Sequence, residues 1–223
     1  MPLNTLWLSE VLIFEIKMNQ ISLSFIGASL RPDLARIIAE AYLKNRDWDV
    51  TQRTVLSNNA LQAKSKMSGV RIERELRVRL QTLTLSQIEL LASGTADTRT
   101  ALAWLSLLKQ TPFIFQLVSE VIRNKIEMHD PYFRPSDYEN YFTTLCERYP
   151  DLANISSSTR IKARSMVHTM LREIGVLDKS PKDLSIKRPP LPHNVMDCIV
   201  VDNKKWLAGF LFSNPEIQAL KAA

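Results

Sequence analysis

The segment from Ser156 to Pro192 constrains the fold of this chain more than any other, because strong helix signals lie at both ends of one stretch. Its first serines offer side-chain oxygens that can accept hydrogen bonds from the free backbone N–H groups at a helix start. Gly175 ends the helix, since glycine adopts the left-handed closing conformation without a clash at Cβ. Helical spacing gives this stretch one apolar face, made of Ala163, Val167, Met170, Leu171 and Ile174.

The opposite face of the predicted helix carries polar and positively charged side chains: Lys162, Ser165, His168, Thr169 and Arg172. Such a face has the size, charge and hydrogen-bonding groups of a helix that enters the major groove of DNA. The pattern also fits a solvated face on an ordinary packed helix, and both interpretations stay open. The following residues favour the first, because Val176–Leu177, a polar turn and Leu184–Arg188 resemble the strand and basic wing of a winged helix.

The remainder of the chain is predicted to be helical, since only five glycines are present and long segments follow helical spacing. Residues 97–110 and 112–128 are predicted to form a central helical hairpin, whereas 195–201 fits either a strand or a helix. Ser86-x-x-Glu89 and Ser136-x-x-Glu139 are expected to start two further helices as capping boxes. The predicted fold class is therefore all-α, a mostly helical bundle with a C-terminal winged-helix-like element.

Three regions are predicted along the chain. Residues 18–150 form an N-terminal helical bundle, and residues 151–223 form a C-terminal helical and winged-helix-like region. Residues 1–17 are a candidate N-terminal extension, because Met18 is an alternative start.

Positive charge is concentrated in two blocks within a chain whose formal net charge is +6. Residues 51–80 and residues 160–190 each carry a net charge of about +5, so the rest is slightly acidic. This distribution predicts a cationic patch that attracts phosphates or another anionic partner. The candidate DNA-binding residues of the first block are Arg53, Lys64, Lys66, Arg71, Arg74 and Arg77. Those of the second are Arg160, Lys162, Ser165, His168, Thr169, Arg172, Lys187 and Arg188.

The motifs of common enzyme classes are missing from the sequence. It contains no glycine-rich phosphate loop or dinucleotide fingerprint. The three histidines have no cysteine or second histidine at the spacing of metal ligands, and the carboxylates are scattered. We therefore predict no catalytic residues, no metal site and no cofactor.

Two cysteines are too few for a disulfide framework, which fits a reducing cytoplasm. The apolar stretch LWLSEVLIFEI near the N-terminus is interrupted by Glu10 and Glu15 and is too short to span a bilayer. We expect a cytoplasmic protein without integral membrane association.

Three parts of the chain resemble a known family: SFIGASLRPDLARIIAEAYLKNRDWD, the basic helical region after it, and TRIKARSMVHTMLREIGVLD. Together they resemble the BrxA family of bacteriophage-exclusion (BREX) defence systems over nearly the whole chain from Met18. The resemblance implies a small all-helical cytoplasmic protein, encoded in a phage-resistance cluster, that binds DNA in a positive groove. No functional residue is transferred from the family, so the candidate site rests on charge and periodicity.

These observations predict a non-enzymatic component of a phage-defence system that binds double-stranded DNA mainly through phosphate contacts. Other subunits of the defence system are further candidate partners. Two alternatives stay open: an adaptor whose basic surface docks on an acidic face of another subunit, and an RNA-binding helical bundle.

Overall fold

The computed structural model describes residues 23–180, 182 and 184–220. Its α-helices are α1 (Pro32–Asn45), α2 (Trp48–Ser57), α3 (Lys66–Leu80), α4 (Leu85–Ser93), α5 (Ala96–Gln110), α6 (Pro112–Glu127), α7 (Pro135–Arg148), α8 (Pro150–Ala153), α9 (Ser157–Ile174), α10 (His193–Asn203) and α11 (Asn214–Ala219). Short 3-10 helices occupy Ser24–Gly27 and Lys204–Phe210, and the middle of α6 is a π-helical segment, Leu117–Ile122. The prediction of an all-α fold is confirmed.

The start and end of α9 follow the local sequence signals. The Ser156 hydroxyl accepts a hydrogen bond from the backbone N–H of Thr159, and Gly175 closes the helix with φ +89°. The two predicted capping boxes are wrong in position. α4 begins with a box in which the Thr84 hydroxyl accepts from the Gln87 backbone N–H and the Gln87 side-chain oxygen accepts from the Thr84 backbone N–H. α7 begins at Pro135, whose ring fixes φ for the first helical turn.

Helix α5 is the centre of the core and contacts α1, α3, α4, α6, α9 and α10. Its residues from Ala101 to Leu108 are all buried, and Trp104 donates its indole N–H to the carbonyl of Gly209 at 2.9 Å. The direction of the chain changes by 109° between α5 and α6. The predicted pair of helices is therefore a corner around Thr111–Pro112 rather than an antiparallel hairpin.

The residues after Pro192 return to the N-terminal helices. The segment 195–201, which fitted either a strand or a helix, lies within α10, and α10 packs on α4 and α5. Lys109 of α5 forms an ion pair with Asp202 at 2.6 Å, in a largely buried position. The predicted C-terminal region therefore has extensive contacts with the predicted N-terminal bundle.

Three short segments next to α9 pair in antiparallel fashion. Leu177 bridges Ile186, and Tyr132 bridges Ser185. The backbone N–H of Ile186 donates to the carbonyl of Pro131, and the N–H of Lys187 donates to that of Val176, both at 2.8 Å. The chain order is thus α6, a paired segment, α7, α8, α9, a second paired segment, a turn and a third paired segment.

The expectations for residues 1–17, including the apolar N-terminal stretch, lie outside the described residues. Within the described ranges no single helix is long and apolar enough to cross a bilayer. Helices α5 and α6 meet the length and composition criteria only as a bent pair.

The tight junction between α4 and α5 gives a testable consequence. A Cβ atom at Gly94 would lie 2.6 Å from the carbonyl oxygen of Leu90 and 2.4 Å from Cγ2 of Thr98. We expect Gly94→Ala to lower the free energy of unfolding by about 1–3 kcal/mol through overpacking, as measured by urea denaturation. Gly27→Ala is the matched control, because a Cβ there meets no atom within 4 Å. Equal stability of the two variants would contradict this account.

Candidate nucleic-acid interface

The solvent-facing side of α9 forms a mostly polar surface that carries one exposed cation, Lys162. Its exposed members follow one another at helical spacing: Ser158, Ile161, Lys162, Ser165, Thr169 and the acidic Glu173. The predicted apolar side is buried, from Ala163 to Ile174. No acidic residue of the described chain forms an ion pair with Lys162. This surface, which we call the α9 face, is therefore available to a phosphate group and to other hydrogen-bonding partners.

His168 lies at the edge of the α9 face rather than on it. Its imidazole is half-buried and packs against the ring of Phe133, with the ring centroids 5.3 Å apart. Burial, followed by the positive charges of Arg172 and Arg164, lowers the pKa of His168 to about 4. The side chain is therefore uncharged at neutral pH. Arg172, one turn further along, is also half-buried.

Arg160 is partly exposed and is held by an ion pair. Glu139 of α7 accepts hydrogen bonds from Arg160 at 2.7 Å and from Arg164 at 2.9 Å. The Arg160 guanidinium also lies over the ring of Phe142, 4.5 Å from its centroid. These contacts connect α9 to α7, and the carboxylate of Glu139 offsets part of this positive charge at a partly exposed position.

The two cations of the third paired segment also have acidic partners. Lys187 contacts Asp178 at 3.1 Å and stays more than half exposed. Arg188 forms two hydrogen bonds to Glu216 of α11, each 2.8 Å, and lies over the ring of Phe212. Hydrogen bonds from Arg188 and from the backbone of Ser213 lower the pKa of Glu216 to about 2. Arg188 therefore anchors the C-terminal helix.

Helix α3 and the residues near it carry the more open cations of the first block. Arg53, Lys64, Lys66, Arg71 and Arg74 are exposed. Arg53 and Lys66 line one cleft of about 750 Å³ between α2 and α3. Lys66, Arg71 and Arg74 line a second cleft of about 610 Å³ beside the first 3-10 helix. Four of these five residues therefore surround two adjoining clefts.

Arg77 differs from its neighbours on α3 because it is held by the buried carboxylate of Glu73 at 2.8 Å. Burial raises the pKa of Glu73, and the charge of Arg77 acts in the opposite direction. Removing Arg77 would leave a buried carboxylate without its cation. Its evident role is to stabilise the bundle.

The chain from Ser24 to Leu30, which we call the linking segment, lies between the two basic helices. On the α3 side, Arg79 donates to the carbonyls of Ala28 and Ser29, and Arg71 donates to that of Gly27. On the α9 side, the carboxylate of Glu173 accepts the backbone N–H of Leu30 at 2.8 Å. The 3-10 helix of this segment contacts both α3 and α9. Helices α3 and α9, distant in sequence, therefore both contact one short stretch of backbone.

Sequence reasoning missed the partners of the cations and one member of the α9 face. Glu139, Asp178 and Glu216 are remote in sequence or isolated in pattern, so no local signal identified them. Ile161 could have been found, because helical spacing places it beside Lys162 and Ser165. Over the part of the chain that the structure describes, no group of three or more His, Cys, Asp or Glu residues could hold a metal ion.

The fold and this surface define an all-helical protein with two cationic helices on either side of a linking segment. The BrxA family profile matches residues 20–203, so the chain belongs to the BrxA family, a family of BREX phage-defence components. A BREX protein BrxA of Escherichia coli O9:H4 (strain HS) is 26% identical over 153 residues, which cover 69% of this chain and 72% of that protein. One from Paramagnetospirillum magneticum (strain ATCC 700264 / AMB-1) is 22% identical over 181 residues, covering 81% and 90%.

The fold also matches a solved structure, described as the crystal structure of an uncharacterized protein from Magnetospirillum magneticum. The TM-score is 0.74 at 20% identity, and the match covers 85% of this chain and 97% of that one. At this identity the match supports the shared fold alone.

The environment of His168 predicts a specific pH dependence of stability. Its pKa is about 4 in the folded protein, below the ordinary value of 6.5, so the unfolded chain takes up the proton first. We expect the free energy of unfolding to fall as the pH is lowered from 6.5 towards 4. Urea denaturation at each pH should show a weaker dependence for His168→Gln. His193→Gln, at an exposed position, is the control and should keep the wild-type dependence; equal behaviour of both variants would refute the prediction.

Proposed function

We propose that this protein is a non-enzymatic, cytoplasmic component of its defence system that binds double-stranded DNA through the α9 face and the cations around α3. The observation that carries the proposal is the exposed α9 face next to the paired segments. The elements from α6 to the third paired segment follow the order of a winged-helix unit, with α9 as the recognition helix. The order is α6, a paired segment, α7, the short α8, α9 and two further paired segments joined by a turn. A recognition helix inserts its exposed residues into the major groove.

The contacts expected of each group follow from its environment. In the proposed complex the side chains of Lys162, Ser165 and Thr169 face the major groove of the DNA. The exposed Lys187, in the third paired segment, contacts a DNA phosphate beside that groove. Arg160 and Arg188 are held by carboxylates, so they position α9 and the wing rather than bind phosphates. The uncharged His168 packs against Phe133 and so helps to hold α9 in place without contacting the DNA.

The cations around α3 would form the second wall of the binding surface. Lys64, Lys66, Arg71 and Arg74, together with Arg53, are exposed and are not paired with a described carboxylate. The linking segment contacts both α3 and α9, and the proposal requires that a duplex crossing this segment meets the exposed cations of both helices. Phosphate neutralisation supplies most of the affinity in such a surface.

Sequence preference should be weak. The α9 face lacks the Asn, Gln and Arg side chains that form bidentate hydrogen bonds with base edges. Phosphate contacts fix position but carry little sequence information.

A salt titration tests the proposal. If about six phosphates are neutralised, the logarithm of the affinity for a labelled duplex should fall with the logarithm of salt concentration at a slope near −5. Lys162→Ala and Arg74→Ala should each weaken binding of all sequences and reduce the steepness of that slope by about 1. Lys44→Ala is the matched control, because it removes the same charge from an exposed site outside both basic blocks. Fluorescence anisotropy measures all four proteins.

Two outcomes would overturn the proposal in favour of another function. A protein that binds no duplex near 50 mM salt, but loses co-purification with a defence subunit on charge reversal of Arg71 and Arg74, is an adaptor. A protein for which structured RNA competes far better than duplex DNA is an RNA-binding bundle.

A further inference from the structure

One side chain of the α9 face, that of Ile161, is aliphatic and cannot form a hydrogen bond or an ion pair with a phosphate group. Ile161 is 58% exposed, whereas the apolar residues of the opposite side of α9 are buried at 3% exposure or less. It lies three residues after Ser158 and four before Ser165, on the same stripe of the helix. An aliphatic side chain therefore stands in the middle of the polar surface that faces solvent.

We propose that Ile161 contacts the 5-methyl groups of pyrimidines in the major groove, an inference that rests on the proposed DNA binding. Thymine carries its 5-methyl group on the major-groove edge, and apolar side chains recognise it there. A methyl at the same position of cytosine offers the same contact. The chemical feature that is read is thus a methyl group on the groove edge.

The position of Ile161 in its helix supports this assignment. It is the fifth residue of α9, and the N-terminal residues of a recognition helix are those that contact base edges. Its neighbours Lys162 and Ser165 can hold the adjacent backbone and polar base atoms. Glu139 of α7 forms ion pairs with Arg160 and Arg164 on either side of Ile161 in the sequence, so the position of Ile161 relative to α7 is fixed.

The contact is consistent with weak sequence preference overall. Burial of a single methyl or methylene group contributes about 0.8 kcal/mol, which corresponds to roughly a fourfold change in affinity. Ile161 should therefore bias binding towards methyl-bearing sequences, while phosphate contacts retain general affinity.

Three versions of one 20-base-pair duplex of mixed sequence test the inference. The first contains thymine, the second has uracil at every thymine position, and the third has uracil together with 5-methylcytosine at every cytosine. We expect the wild-type protein to bind the uracil duplex about fourfold more weakly than the thymine duplex. The third duplex should recover affinity, which would show that the methyl group itself is recognised whichever pyrimidine carries it.

Ile161→Ser should bind all three duplexes equally while keeping the wild-type salt slope. Ile161→Ala serves as a second variant that preserves helix propensity, and thermal unfolding confirms that both variants fold. Val201→Ser is the matched control, because Val201 is also an exposed aliphatic residue but lies on α10. This control should discriminate between the duplexes as the wild type does.

The outcomes separate this inference from the proposed function. Equal wild-type affinity for the thymine and uracil duplexes, with the salt slope intact, overturns the methyl contact and leaves DNA binding standing. Discrimination that persists in Ile161→Ser also overturns it and assigns the effect to DNA shape. Failure of the wild-type protein to bind any duplex overturns DNA binding, and this inference with it.

Discussion

The relation between the two basic helices depends on how the linking segment is held. The buried Arg79 donates to two of its carbonyls from α3, and Glu173 accepts one of its N–H groups from α9. Burial lowers the pKa of Arg79, and its ion pair with Glu75 opposes that effect. A guanidinium is the suitable group here, since it stays charged when buried and offers several donors in a fixed geometry. These hydrogen bonds connect the linking segment to both helices and so fix the position of α3 relative to α9.

The distribution of ion pairs divides the cations of this protein into two kinds. Some neutralise carboxylates of the same chain, as Arg160 and Arg164 do with Glu139, and these connect one element to another. Others, such as Lys66 and Arg74, project from α3 beside open clefts. Only the second kind leaves uncompensated positive charge for a partner. Net charge along the sequence counts both kinds alike, although their physical roles differ.

Much of the fold was predictable because helices depend on local signals. The Ser156 cap, the Gly175 closure and the apolar side of α9 all follow from residues within a few positions of one another. The α5–α6 corner was not predictable, since the angle between two helices depends on tertiary packing, which spacing along the sequence does not determine. Within the candidate site, the exposure of Lys162 and Thr169 was predictable from periodicity. The burial of His168 against Phe133 was not, because Phe133 reaches it from a different segment.

The sequence by itself determined that this chain is helical, that it carries two basic blocks and that α9 has one polar side, because these properties depend on spacing and composition. The tertiary structure alone decided which cations remain unpaired, since Glu139 and Glu216 reach Arg160 and Arg188 across 21 and 28 residues. It also placed the linking segment between α3 and α9, through hydrogen bonds that span up to 143 positions. Such contacts form only when the whole core has packed, and no local pattern encodes them.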